Sequence, residues 1–125
     1  MEINEIQKVA DEWHKVTWDV IEFKDPGVDE ISKLFQKTCE IIENYRKENF
    51  VPKEICSILL KITDFGWWVS GLEETPLHEF YQELLSLISA LNKYFFTHDG
   101  DVKDIIETIE KISEGEFKYL EIKYE

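Results

Sequence analysis

Three histidines (His14, His78 and His98), two cysteines (Cys39 and Cys56) and 27 carboxylates are the side chains of this sequence that could do chemistry. A zinc or di-iron centre needs such groups at spacings that bring them onto one helix face, as in HExxH or Glu-x-x-His. Neither pattern occurs, and the histidines lie in three separate segments. Cys39 and Cys56 lack the close spacing of a redox or zinc motif and read as reduced structural thiols.

Two short strings resemble motifs without their context. Asp64-Phe65-Gly66 spells the magnesium-binding triplet of protein kinases, but the remaining kinase motifs are missing. His98-Asp99-Gly100-Asp101 lacks the acidic spacing and terminal Glu of a calcium loop and reads as a turn. Ser57, Ser70 and Ser86 have no nucleophile context, and no Gly-rich phosphate loop is present. The expectation is a protein that is not an enzyme, with no catalytic residue, no metal and no cofactor.

Charge is the strongest global feature. Fourteen Lys and Arg stand against 27 Asp and Glu, a net −13. Such a field repels DNA, RNA and anionic membranes and admits a basic protein partner; it also serves plain solubility. The basic residues are unevenly spread. None falls in residues 62–92, which hold Asp64, Glu73, Glu74, Glu79 and Glu83, a net −5. Trp67 and Trp68 lie in the same interval. Large aromatics supply desolvated anchors and carboxylates orient the encounter, so these seven residues form the expected partner-binding surface. The competing reading is that Trp67 and Trp68 belong to the core, because a middle helix of a bundle is often buried on two sides.

The elements that must position these groups are helices. Apolar residues recur at spacings of three and four, the period of one helix face. The pattern predicts helices over residues 2–23, 29–48, 52–69, 76–96 and 101–114, in one all-α domain. In the first, Ile3, Ile6, Ala10, Trp13, Thr17 and Val20 make the stripe and Trp18 falls outside it. Asp25-Pro26-Gly27 is the expected break, and Asp29 the expected cap of the second helix. Gly66 lies on the apolar side of the third helix, where it would admit a close neighbour. Trp67 and Trp68 project off that stripe, toward Leu60 and Asp64. The fourth helix, capped by Thr75 and Pro76, has the widest apolar arc and is expected to be central, with Glu79 and Glu83 on its polar side. Gly115 is the expected stop of the fifth. In residues 116–125, Leu120, Ile122 and Tyr124 alternate with Glu121, Lys123 and Glu125 as in a strand; with no visible partner the segment is expected to form an extended tail packed through Phe117 and Leu120.

No apolar run is long enough to cross a membrane, and the N-terminus has no basic region leading into an apolar block. Cytoplasmic residence is therefore expected. The leading expectation for function is a small acidic binding protein that neutralises a basic partner. Its most concrete form is an immunity or antitoxin-type inhibitor of a bacterial toxin such as a nuclease. A helical regulatory or scaffold module is the alternative, and an enzyme or small-molecule carrier the third reading.

Overall fold

The apolar stripes become helices, each folded around its own buried face. The structure is a computed structural model that describes residues 3–24, 26–71, 78–97 and 100–114. Within them the chain forms α1 (Ile3–Ile21), α2 (Val28–Tyr45), α3 (Lys53–Val69), α4 (His78–Thr97) and α5 (Val102–Ser113). The chain is an all-α bundle. The expected tail, Gly115 and the Thr75-Pro76 cap lie outside the described residues.

The boundaries are set by local chemistry, and three differ from expectation. α1 stops at Ile21, ahead of the Asp25-Pro26-Gly27 break. Phe23 adopts φ 61°, its N–H donates to Val20 O at 3.0 Å, and the Lys24 N–H donates to Asp19 O at 2.7 Å. This pair of bonds is a Schellman closure, with phenylalanine in the left-handed position that glycine usually takes. The second difference is the start of α2. Gly27, at φ 88°, occupies its N-cap position, and Asp29 lies inside the first turn. Pro52 likewise precedes α3 instead of opening it. At α5 the Asp101 carboxylate accepts the Lys103 N–H at 2.9 Å, a side-chain cap that satisfies a first-turn amide.

The helices pack as a ring: α1 on α3, α3 on α4, α4 on α5, α5 on α2, and α2 back on α1, with α2 also touching α4. α4 is therefore not the single central element its apolar arc suggested. It meets three helices, and so does α2, while the most extensive contact is between α1 and α3. The α1/α3 pair runs parallel. Gln7 shares a groove with Lys53 and Ser57, His14 lies beside Lys61, and the Trp13 and Phe65 rings are 5.3 Å apart. α3 and α4 are antiparallel, with Gly66 against Leu85 and Ile88 and Thr63 against Asn92. A Cβ added at Gly66 would stand 3.1 Å from both Ile88 Cδ1 and Leu85 Cδ2. The glycine thus sets this close approach.

The core is continuous. Trp13, Phe35, Phe65 and Phe80 are its largest fully buried side chains, surrounded by isoleucines from all five helices. A polar link between α1 and α2 inside it is the Trp13 indole N–H donating to Thr38 Oγ1 at 2.8 Å. No described helix is long and apolar enough to cross a membrane.

Candidate functional site

α3 buries Ile55, Ile58, Leu59, Ile62, Phe65, Gly66 and Val69. The opposite face carries Cys56, Leu60, Asp64, Trp67 and Trp68, all exposed. Trp67 is 69 % exposed and Trp68 40 %, so neither belongs to the core. Their rings meet edge to face, with centroids 5.5 Å apart and planes 83° apart. Asp64 precedes them by three and four residues, which puts its carboxylate on the same side of the helix. Leu60, one turn further back, is 70 % exposed.

The parallel pairing of α1 and α3 enlarges this surface. Both helices finish at the same end of the bundle, so Trp18 of α1 and Phe23 just after it share that end with Trp67 and Trp68. Trp18 is half exposed and its indole N–H donates to His14 Nε2 at 3.0 Å; Lys61 Nζ lies 3.4 Å from His14 Nδ1. Phe23 is 92 % exposed. Three of the four tryptophans therefore stand on the α1/α3 surface, and the fourth, Trp13, is core. Sequence reading separated Trp18 from its stripe but did not join it to Trp67 and Trp68, because that requires knowing which helices pair. Phe23 carried a signal that was missed: a phenylalanine among the polar residues of a helix end.

The carboxylates do not gather as the sequence interval suggested. Asp64 shares the tryptophan face. Glu79 and Glu83 do not. The α4 residues that meet α3 include Leu85, Ile88 and Asn92. At about 100° per residue, Glu83 lies roughly 140–160° round the helix from Leu85 and Ile88, and Glu79 about 180° from Ile88. Glu83 is also only 7 % exposed, so it cannot serve as a rim charge. Its placement corrects the expected polar side of α4. Glu73 and Glu74 lie outside the described residues. The residues brought together are thus Asp64, Trp67 and Trp68, with Trp18 and Phe23 exposed at the same end of the bundle.

Other chemistry is sparse. Among the described residues no group of three or more His, Cys, Asp or Glu is arranged to hold a metal ion. An open groove of about 350 Å³ at the far end of the α1/α3 pair is lined by Gln7, Lys53, Glu54, Cys56, Ser57 and Leu60. Its side chains form no donor–acceptor chain. Cys39 is buried, and burial pushes its thiol up to about 12, with Glu40 adding to the shift; Cys56 is exposed.

No protein-family model matches this sequence, and the searches of curated proteins and of solved structures return no significant match.

Proposed function

We propose that this protein is a small acidic binding protein whose α1/α3 face takes a basic protein partner. The observation that supports it is the exposure of Trp67 and Trp68 beside Asp64 on a chain of net charge −13. Large aromatics are costly to leave in water and are the residue types that dominate binding energy when desolvated. The surplus negative charge favours encounter with a positive surface. In its most concrete form the partner is a bacterial toxin such as a nuclease, whose basic cleft for phosphates an acidic inhibitor screens or fills.

A regulatory or scaffold module is the second reading. It is favoured by one observation: of the carboxylates expected around the tryptophans, Glu79 and Glu83 face elsewhere. A partner recognised mainly through apolar contact would need less charge. The experiment is binding of the protein to purified basic nucleases at low and high salt, with nuclease activity read in parallel. Inhibition with an association rate that falls as salt rises supports the inhibitor. Binding that is insensitive to salt and leaves nuclease activity intact sinks it in favour of the module.

A further inference from the structure

The end of α3 combines three features that each favour a cation. The first is the aromatic corner. Trp67 and Trp68 stand with planes 83° apart, and both are exposed. An indole face attracts a positive charge through its quadrupole, and tryptophan does so best among the aromatics. The second is Asp64, whose carboxylate lies three and four residues before the two rings on the same exposed face. The third is the helix end itself. α3 has no basic residue in its last turn, so the negative end of its dipole is not offset by a side chain of its own. The Trp67 and Trp68 carbonyls are already capped: Ser70 Oγ donates to Trp67 O at 2.6 Å, and the Gly71 N–H to Trp68 O at 3.4 Å. A ligand there would meet ring faces, a carboxylate and the dipole field.

Two described lysines have partners of their own. Lys61 sits at His14, and Lys24 bonds Glu22 at 3.1 Å. The bundle also contains an internal version of the arrangement. Arg46, the only arginine in the sequence, places its guanidinium carbon 4.3 Å from the centre of the Tyr94 ring, and the Tyr94 hydroxyl donates to the Glu43 carboxylate. There an aromatic face, a carboxylate and a guanidinium complete one another. At the end of α3 the aromatic faces and the carboxylate are present, and among the described residues no cation pairs with them.

We propose that Trp67, Trp68 and Asp64 form a docking site for an arginine side chain of the protein partner, the guanidinium stacking on an indole face and pairing with the Asp64 carboxylate. Guanidinium is selected over ammonium on physical grounds. It is planar, more weakly hydrated, and able to stack and donate hydrogen bonds together. The site rests on the proposed function, since it specifies how a basic partner is held.

The test uses the full chain and two synthetic nonapeptides of equal charge, nona-arginine and nona-lysine, followed by calorimetry at low salt. The arginine peptide should bind more tightly by about 2- to 5-fold, the usual worth of an exposed cation–π contact. Trp67→Leu, which keeps apolar bulk but removes the π face, should reduce that preference, and Trp67→Leu with Trp68→Leu should abolish it. Asp64→Asn should weaken the arginine peptide more than the lysine peptide. Glu30→Gln and Glu40→Gln, at exposed positions on α2, should weaken both equally. Circular dichroism confirms that each variant keeps its helices. Equal affinity for the two peptides, or a preference that survives the double tryptophan variant, overturns the arginine site while leaving an acidic binding protein intact. Failure of both peptides to bind overturns the site and the proposed function together.

Discussion

The Trp13 indole N–H donates to Thr38 Oγ1 at 2.8 Å, and both side chains are buried. The threonine hydroxyl passes its own proton to Leu34 O, also at 2.8 Å. One hydroxyl therefore satisfies a buried indole and remains satisfied itself. This fixes α1 against α2 at a single register, because an apolar contact could slide where this bond cannot.

Thr38→Val keeps the shape and strands the indole N–H in the core. An unsatisfied buried donor costs about 1–3 kcal/mol, and urea denaturation should show a loss in that range. Thr38→Ser should retain most of the stability. If the valine variant is as stable as the parent, the bond does not hold the pair.

Phe23 predicts a gain. A non-glycine residue in the left-handed region costs roughly 1–2 kcal/mol, and this phenylalanine returns little by packing, being 92 % exposed. Phe23→Gly should raise the unfolding free energy by up to about 1 kcal/mol after glycine's greater unfolded-state freedom is subtracted. A destabilised variant would mean that the ring makes a contact worth more than the strain. If the α1/α3 end binds a partner through this ring, the same variant should bind more weakly while being more stable.

The two cysteines should separate cleanly. A thiol reagent at neutral pH should modify Cys56 at once and Cys39 only on unfolding, because Cys56 is exposed and Cys39 buried. Burial raises the Cys39 thiol from 9.0 to about 12. The folded state therefore holds its proton where the unfolded chain has released it. Stability from this group is intact below pH 9 and declines as pH climbs from 9 toward about 12. Cys39→Ala should flatten that part of the alkaline profile. An unchanged slope would assign the alkaline loss to other groups.

Stability and binding should divide along the burial pattern. Leu84→Ala and Ile88→Ala remove buried side chains and should each cost about 2–5 kcal/mol. Trp67→Ala and Leu60→Ser act on exposed positions and should stay within about 0.5 kcal/mol of the parent. Glu83→Gln belongs with the first group: it should shift the denaturation midpoint and leave the association rate with a basic partner unchanged. Asp64→Asn should do the reverse. A Glu83 variant that slows association without touching stability would restore it to the binding surface.

What the sequence determined by itself was local. Periodicity located all five helices to within a few residues, because an amphipathic stripe is written in residues three and four apart. It also placed Trp18, Trp67 and Trp68 off their stripes, and it marked Gly66 as a point of close approach. Helix ends were less legible, since a Schellman closure on Phe23 carries no glycine to announce it. Tertiary structure decided everything that depends on which helices are neighbours. The parallel pairing of α1 with α3 brings Trp18 and Phe23 to the same end of the bundle as Trp67 and Trp68, although some fifty residues separate them in the chain. The same packing turns Glu79 and Glu83 away from the tryptophans and buries Glu83. A run of carboxylates along a sequence is not a patch, because a helix rotates its residues by about 100° each and only packing selects which side faces water.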